Sequence, residues 1–268
     1  MKKGVDVSCW QGTIDWTKVK KAGIDFAILR CGYGVDNKSQ DDASFIKNAN
    51  GCEKIGMPYG VYIYSYAKTV NDAKSEAAHV LRLIKGRKLE YPIYYDLEDA
   101  DTTGKCSKER ILEISKTFVS ILEKEGYYVG IYANKYWNVT YLTDKWYDTK
   151  ARWIAQYNSE CTYKGEYGMW QYTSVGKVNG ISGNVDMNYA YVDYPTLIKN
   201  NGKNGFKKAT TITKVNKVTA TKKSNTTIAK EVIAGKWGNG ETRKNKLTKA
   251  GYSYEAVQKE VNKLLSKS

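Results

Sequence analysis

The fold of this chain is decided by the stretch Tyr91-Pro92-Ile93-Tyr94-Tyr95-Asp96-Leu97-Glu98-Asp99. Its first half is apolar, aromatic and rich in residues that favour β-structure, which predicts a buried strand of a barrel or sheet. Because side chains alternate along a strand, Asp96 and Glu98 are expected to point the same way from its carboxyl end. The sequence therefore predicts two carboxylates side by side at the edge of a buried sheet.

Two neighbouring carboxylates have a chemical consequence. They cannot both ionise at low cost, so one pKa rises and that carboxyl stays protonated near neutral pH. A protonated acid beside a charged partner is what cleavage of a glycosidic bond requires. Taken alone, Asp96 and Glu98 also fit a pair that caps the loop after the strand or binds a cation.

Strand-like and helix-like stretches alternate around this pair. Strands are predicted at 5–8, 26–31, 59–66, 91–97, 128–133, 153–157, 169–172 and 185–188. Helices are predicted at 15–21, 43–54, 71–85, 108–125 and 135–142, and they become scarce after about residue 145. This order indicates an α/β fold, an irregular TIM-like β/α barrel with fewer helices than strands. Active sites of such barrels lie at the carboxyl ends of the strands. There the sequence places polar side chains, which are Asp6, Arg30, Tyr64, Asp96, Glu98, Tyr132, Gln156, Gln171 and Asp186.

The charge is divided unevenly along the chain. The whole chain of 268 residues carries +15, and residues 197–268 hold 17 basic and 4 acidic side chains, a formal charge of +13. Residues 1–196 are therefore close to neutral, at +2. A partner with negative charge is predicted for the C-terminal part alone, and nucleic acid, anionic lipid and an anionic cell wall all remain open on this ground.

Cysteine and histidine usage narrows the chemistry. The five Cys residues are scattered, without C-x-x-C spacing, and the one histidine, His79, has no His or Cys near it in sequence. A disulfide framework and a metal site are therefore not expected, and triads that need histidine are weak candidates. No Gly-rich phosphate loop is present either. We expect no metal and no cofactor, and we interpret His79 as an ordinary packing or surface residue.

The start of the chain and its apolar segments bear on location. Met1-Lys2-Lys3 is basic like the start of a signal peptide, but a strand-like stretch follows it directly instead of an apolar segment. No run approaches the length of a membrane span. The sequence predicts either a protein that does not use the general secretory route or one whose signal was removed, and it predicts no membrane insertion.

The C-terminal part divides in two. Residues 199–226 contain Lys, Asn, Thr and Gly with no acid, which predicts a basic flexible linker. Residues 227–268 predict three short helices around a small core centred on Trp237, with Gly251 as a C-cap. The predicted domains are thus a barrel at 1–198, the linker at 199–226 and the helices at 227–268. Deletion of 199–268 is expected to leave the barrel folded.

The barrel region carries a set of motifs in a defined order. They are Gly4-Val5-Asp6-Val7-Ser8-Cys9-Trp10-Gln11-Gly12, Tyr95-Asp96-Leu97-Glu98, Trp153-Ile154-Ala155-Gln156-Tyr157, Trp170-Gln171-Tyr172, and Asp186 with Asn188. Over residues 4–193 this resembles family 25 of the glycoside hydrolases, the muramidases that cut bacterial peptidoglycan. The segment from Glu231 to Asn262, which includes Trp237-Gly238-Asn239-Gly240, resembles the choline-independent wall-binding repeat of some phage lysozymes.

The resemblance implies roles for individual residues. Glu98 would be the general acid, Asp96 would orient the substrate's N-acetyl group or stabilise positive charge at the sugar carbon, and Asp6 and Asp186 would complete a carboxylate cluster. Further residues are implied in substrate binding, namely Arg30, Tyr62, Tyr64, Tyr132, Gln156, Trp170 and Gln171. In the C-terminal repeat, Trp237 and Arg243 are the implied wall-binding residues.

The resemblance also implies a biological setting. It implies a phage endolysin that is made in the host cytoplasm, released by a holin and bound to peptidoglycan, or an extracellular enzyme if a signal was removed. A bacterial autolysin and a barrel that binds peptidoglycan without cleaving it remain as alternatives. Specific nucleic-acid binding is not expected, because the basic linker lacks interleaved aromatic residues. The oligomeric state stays open.

Overall fold

The computed structural model describes residues 1–208, 223–238 and 240–266. The chain divides into two compact units, Met1–Thr210 and Thr211–Ser268. In the described parts of both units, no helix is long and apolar enough to cross a membrane.

The first unit is built on a closed barrel of eight strands in chain order. The strands are β1 (Lys2–Val7), β2 (Phe26–Tyr33), β3 (Tyr59–Tyr64), β4 (Ile93–Asp96), β5 (Val129–Asn134), β6 (Ala151–Ala155), β7 (Met169–Gly176) and β8 (Val185–Ala190). β1 to β7 run parallel to one another, whereas β8 is antiparallel to both β7 and β1. All eight predicted strands are present, and the α/β class is confirmed.

Six α-helices accompany these strands in the first unit. They are α1 (Trp16–Lys21), α2 (Phe45–Ile55), α3 (Val70–Leu83), α4 (Lys108–Lys124), α5 (Lys135–Thr140) and α6 (Tyr194–Asn200). Each of β1 to β5 is followed by one helix, and side-chain caps such as Ser107 on α4 begin several of them. The sixth helix was not predicted, although Asp193 caps it and a proline lies in its first turn.

The barrel interior is packed with aromatic rings. Trp153 is fully buried there, with ring centroids 4.4 Å from Tyr132 and 5.0 Å from Tyr94. Glycines make room for these rings, since a Cβ on Gly130 would lie 2.6 Å from the Tyr94 ring, and one on Gly4 would collide with Phe26. The opposite faces of the strands pack against the helices. The rings fill the amino-terminal part of the barrel, so the polar residues are confined to its other end.

Residues 199–208 correct the prediction of a linker that begins at 199. Asn204 is fully buried: its Oδ1 accepts from the Tyr128 N–H at 2.7 Å, and its Nδ2 donates to the carbonyls of Leu89 (3.1 Å) and Tyr91 (2.9 Å). The ring of Phe206 packs against the interior cluster. The Lys- and Asn-rich composition suggested a solvated segment, but one asparagine side chain can satisfy three buried backbone groups. Residues 199–208 therefore belong to the barrel unit, and deletion from residue 199 would remove them.

The structure describes only part of the remaining predicted linker. Residues 209–222 lie outside the described residues. The described chain resumes at Lys223, where the Ser224 side chain caps the first C-terminal helix by accepting from the Thr227 N–H.

The second unit contains three helices in its described part. These are α7 (Asn225–Ile233), α8 (Gly240–Lys249) and α9 (Tyr254–Leu265). Their small core consists of Ile228, Ala229, Val232, Leu247, Val257 and Val261. Trp237 is only partly buried against this cluster, so it lies at the edge of the core and not at its centre as predicted. Gly251 adopts φ 79° just after α8, where the backbone N–H of Tyr252 reaches back to the Leu247 carbonyl.

The buried contacts of Asn204 allow a stability test. Asn204→Ala should lower the free energy of unfolding by about 3 kcal/mol, because it leaves one N–H and two carbonyls unpaired in the interior. Urea denaturation followed by fluorescence measures this. Asn201→Ala is the matched control, since the exposed Asn201 side chain donates only to the Leu197 carbonyl of its own helix. Equal, small losses for both variants would show that residues 199–208 do not support the barrel.

Candidate active site

Four acidic side chains meet at the end of the barrel where β1 to β7 finish. Asp6 lies near the end of β1, Asp96 ends β4, and Glu98 follows two residues later. Because β8 runs the other way, its start lies at this same end, and its second residue, Asp186, is opposite Asp6 in the strand register. The four side chains line one cavity of about 200 Å³. The structure thus brings all four predicted carboxylates together.

Asp6 is held by two buried amides. Its Oδ2 accepts from Nδ2 of Asn188 at 2.7 Å and from Nε2 of Gln171 at 3.0 Å. Burial, and then the charge of Asp186, raise the pKa of Asp6 well above its ordinary value. The pKa of Asp186 is also raised by burial. Both carboxyls of this pair therefore bind a proton more readily than an aspartic acid in water does.

Asp96 and Glu98 form the second acidic pair. Burial, and then the charges of Glu98 and Asp6, raise the pKa of Asp96, whereas the Arg30 guanidinium lowers it. Oδ1 of Asp96 is buried and, within the described residues, has no hydrogen-bond partner, so it is an acceptor that the protein leaves unsatisfied. Burial, and then the charge of Asp186, raise the pKa of Glu98 to about 7. Glu98 can therefore hold a proton at neutral pH and release it to a bound group.

Gln171 connects the acids to two tyrosines. It is 2% exposed, and its Oε1 accepts from the hydroxyls of Tyr132 (2.9 Å) and Tyr157 (3.0 Å) while its amide donates to Asp6. Asn188 makes a similar connection, because it accepts from the Trp153 indole at 2.8 Å and donates to Asp6. The rigid aromatic interior thereby fixes the position of the Asp6 carboxylate.

The remaining wall of this cavity comes from β2 and β3. Arg30, Tyr62 and Tyr64 all line it, as predicted residues of the site. The Tyr64 hydroxyl also donates to the Asp99 carboxylate at 3.3 Å. Arg30 forms an ion pair with Asp42, with 2.8 Å between Nε and Oδ2.

A second cavity, of about 420 Å³, adjoins the first and shares Glu98 with it. Glu98, Tyr132 and Tyr157 line both cavities, and the second one adds Asn134, Lys135, Tyr136, Ala155 and Gln156. The rings of Tyr136 and Tyr157 are 62% and 57% exposed. The side chains of Lys135 and Gln156 are tied to Thr162 Oγ1, at 2.5 and 2.9 Å. A carboxyl that can donate a proton thus lies between two adjoining cavities.

Trp170 is the predicted substrate-binding residue that the structure keeps away from both cavities. It is 7% exposed, and its indole donates to the Gln156 carbonyl at 2.8 Å. Its ring packs near Tyr172 and Tyr189. Trp170 follows Met169 on β7, and alternation along the strand sends Gln171, rather than Trp170, towards the site with Tyr132 and Asp6.

Several cavity residues were not predicted as site residues. Among them are the aromatic residues Trp10, Tyr136 and Tyr157, and Asn188, which lines neither cavity, holds Asp6 from behind. Trp10 is 82% exposed on the turn just after β1, and Tyr136 and Tyr157 follow β5 and β6. Their positions after strand ends are a signal that sequence can provide. Their exposure to solvent could not be predicted from the sequence, because most tyrosines in this chain pack in or against the core.

The C-terminal helices have a cavity of their own, of about 500 Å³. Trp237 lines it with Glu231, Lys236, Lys246, Lys249 and Ala250, and the Trp237 indole donates to Glu231 at 3.1 Å. Arg243 is not part of this lining. Its Nε donates to the Gly238 carbonyl at 2.9 Å, so it supports the turn that carries Trp237.

Outside these cavities, three further features bear on ligand binding. In residues 1–208, 223–238 and 240–266, no cluster of three or more His, Cys, Asp or Glu side chains could hold a metal ion. His79 is fully buried between the Gly34 carbonyl and the Asp41 carboxylate. A larger cavity of about 770 Å³ lies at the amino-terminal side of β3, where Glu53 is already paired with Arg87. It contains none of the four carboxylates.

Curated relatives of this chain include lysozymes. An autolytic lysozyme of Clostridium acetobutylicum is 30% identical over 186 residues, which cover 69% of this chain and 54% of the relative. The lysozyme of Streptococcus phage Cp-7 is 28% identical over 272 residues, covering 97% of this chain and 69% of the relative. The chain thus spans about half the length of the clostridial relative.

Solved structures show the same similarity. The modular autolysin LytC from Streptococcus pneumoniae, in complex with a synthetic peptidoglycan ligand, superimposes with a TM-score of 0.64 at 30% identity. That match covers 70% of this chain and 46% of LytC. A family 25 glycosyl hydrolase from Bacillus anthracis has a TM-score of 0.63 at 25% identity, over 72% of this chain and 89% of the other.

Family models match both units of the chain. A CW_7 repeat matches residues 226–265 in the second unit. The model of glycosyl hydrolases family 25 matches residues 5–181, a range that contains Asp6, Asp96 and Glu98 and ends before Asp186. Because this range is well over half of the sequence, the chain belongs to family 25 of the glycosyl hydrolases.

Proposed function

We propose that this protein is a muramidase that hydrolyses the β-1,4 bond between N-acetylmuramic acid and N-acetylglucosamine in peptidoglycan. The observation that carries the proposal is Glu98, a largely buried carboxyl whose pKa is raised to about 7, between two adjoining cavities at the active end of the barrel. Family membership and the lysozyme relatives support it. So does the LytC structure with a synthetic peptidoglycan ligand.

In this proposal Glu98 is the general acid. It donates its proton to the glycosidic oxygen as the bond breaks, and its burial keeps that proton available at neutral pH. Asp96, whose buried Oδ1 has no partner in the described structure, orients the N-acetyl group or stabilises positive charge at the sugar carbon. Asp6 and Asp186 complete the acidic cluster, and the amides of Gln171 and Asn188 hold Asp6 in place.

The two cavities suggest how a glycan strand lies across the barrel. The cavity of about 200 Å³, with the acids at its base, would hold the sugar whose glycosidic bond breaks. The cavity of about 420 Å³ would hold the leaving sugar, since the proton donor lines this cavity as well as the first. The exposed rings of Tyr136 and Tyr157 offer flat apolar faces for that sugar.

The finer architecture and the biological setting belong to the same proposal. We regard the barrel as an irregular TIM-like barrel, and residues 225–265 as a three-helix domain that binds the cell wall through Trp237, with Arg243 in support. The match to the phage Cp-7 lysozyme over 97% of this chain favours a phage endolysin that reaches peptidoglycan after release by a holin. The CW_7 repeat supports the wall as the partner of the basic C-terminal unit.

Replacing the proposed general acid provides the direct test. Glu98→Gln should lower the rate of wall cleavage by roughly 10²- to 10⁴-fold, because the amide has the size of the acid but no proton to donate. The rate is measured as new reducing ends, which mass spectrometry should place on N-acetylmuramic acid. Glu125→Gln, at an exposed position at the end of α4, is the control and should stay fully active. Less than a tenfold loss in Glu98→Gln would exclude Glu98 as the acid.

The proposed leaving-sugar cavity can be tested separately. Tyr136→Ala should raise KM for glycan strands by roughly five- to tenfold, because it removes an exposed ring that stacks on a sugar. KM for an aryl glycoside should not change, since that substrate has no sugar beyond the scissile bond. Tyr191→Ala is the control, because this exposed tyrosine follows the opposite end of β8. An equal rise in KM for both substrates would place Tyr136 elsewhere on the strand.

Wall binding by the C-terminal unit should depend on Trp237 more than on charge. Binding of the full chain to purified walls should persist at about 0.5 M salt, where screening acts over only a few ångströms. Trp237→Phe should lose this salt-resistant fraction, because it removes the indole N–H while keeping an aromatic ring against the core. Lys259→Ala, an exposed charge outside the Trp237 cavity, should weaken binding only at low salt. Loss of all binding in 0.5 M salt by the unaltered chain would leave a purely electrostatic attachment.

A further inference from the structure

Two consecutive acids, Asp41 and Asp42, follow the loop after β2 and face different parts of the barrel unit. The Asp41 carboxylate accepts from Arg82 at 2.6 and 3.0 Å and contacts the His79 ring at 2.8 Å, and both of these residues lie on α3. Asp42 points instead towards β1 and β2, and its side chain is fully buried. Asp41 thus fastens the loop to a helix, whereas Asp42 binds a residue of β2 and the turn after β1.

The Asp42 carboxylate has three donors. Its Oδ2 accepts from Arg30 Nε at 2.8 Å and from the Cys9 N–H at 3.0 Å, and its Oδ1 accepts from the Ser44 N–H at 2.9 Å. The last of these is a local turn contact. The first two join separate strands, because Arg30 lies on β2 and Cys9 follows β1.

Both of these partners lead directly to the cavity that holds the four acids. Arg30 lines it, and its Nη2 also contacts the Cys9 sulfur at 3.2 Å. Cys9 begins the short turn Cys9–Gln11 that carries Trp10, an exposed ring at the rim of the same cavity. The far side of the turn is held by Gln11, whose amide donates to the Asn184 carbonyl at 3.4 Å. The contacts of Asp42 therefore hold the Arg30 guanidinium and the turn that carries Trp10 in their positions at the cavity rim.

Asp42 also balances charge at this rim. The Arg30 guanidinium lowers the pKa of Asp96, against the larger effects of burial and of Glu98 and Asp6. A buried carboxylate 2.8 Å from Nε offsets part of the guanidinium's charge and fixes the orientation of the Arg30 side chain. Besides Arg30 and Asp42 themselves, the titratable groups around the pair are Cys9, Cys31, Tyr33, Tyr62, Tyr66 and Asp96.

We propose that Asp42 is a positioning residue of the active site: it holds Arg30 and the Trp10 turn at the cavity rim and shields the cavity acids from the Arg30 charge. The proposal rests on the proposed muramidase function for its kinetic readout. A buried ion pair that only stabilises the fold would instead behave like the Asp41 contacts with Arg82 and His79. Asp41 and Asp42 therefore form a matched pair of test and control.

The experiment compares Asp42→Asn with Asp41→Asn in the full chain, using soluble peptidoglycan fragments. In Asp42→Asn the new amide nitrogen can face the Arg30 N–H, so the guanidinium should leave this position and turn to the cavity acids. KM should rise roughly five- to tenfold as the rim loses its geometry. The acidic limb of the kcat/KM profile should move to lower pH, because a stronger cation beside Asp96 lowers the pH at which that group loses its proton.

The control separates positioning from stability. Asp41→Asn should lose resistance to urea but keep the KM and pH profile of the unaltered protein. If both variants lose only stability, Asp42 is a structural residue and the proposal is overturned. The Arg30→Met background adds a second measurement: there, Asp42→Asn should cause no further pH shift. The double variant removes the charges of Arg30 and Asp42 together, so this measurement can be made even if Asp42→Asn alone does not fold.

The same variants distinguish failure of the positioning proposal from failure of the proposed function. If the unaltered protein releases no reducing ends, the muramidase proposal fails. Calorimetric Kd values for the same fragments then decide on Asp42. A Kd that rises in Asp42→Asn but not in Asp41→Asn supports the positioning role, and equal values overturn it.

Discussion

The antiparallel pairing of β8 with β1 is the constraint on which the active end of this barrel depends. Together with the antiparallel β7–β8 pair it closes a sheet whose other neighbouring strands are all parallel, and it places the start of β8 beside the end of β1. Asp186 and Asp6 consequently face each other in register. A parallel β8 would carry Asp186 to the amino-terminal end of the barrel, where aromatic rings leave no space for a carboxylate.

Placing four acids in one small cavity is costly, and the surrounding structure shows how the cost is met. Protonation relieves part of it, since burial raises the pKa of each of the four. Amide donors relieve another part, because Gln171 and Asn188 both reach Asp6. Arg30 supplies the nearby positive charge, itself balanced by Asp42 outside the cavity. The site is thus a balance of protons and donors held by the same strands that form the core.

Much of the barrel and of its acidic site could be predicted from the sequence, because each strand and helix carries its own periodic pattern of apolar residues. The apolar run before Asp96, together with the alternation of strand-like and helix-like stretches along the chain, predicted the eight strands and the end of the barrel at which the acids lie. Prediction failed where a few side chains override composition. Asn204 turns a lysine-rich segment into part of the barrel, and Trp170 lies on the strand face that packs away from the cavities. The contacts of Asp42 join residues far apart in sequence, and no local pattern indicates them.

The ring-filled interior described above also governs how the site can respond to a ligand. Trp153 lies beneath the acids, and Phe26 and Tyr94 fit into hollows that Gly4 and Gly130 leave below it. Close-packed aromatic rings compress very little, so the floor of the cavity cannot sink to admit a bulkier group. Adaptation is left to the rim, where Trp10, Tyr136 and Tyr157 are exposed. Changes in ligand preference on this scaffold would therefore arise in the turns after the strands, at the rim of the cavity, while the depth of the site stays constant.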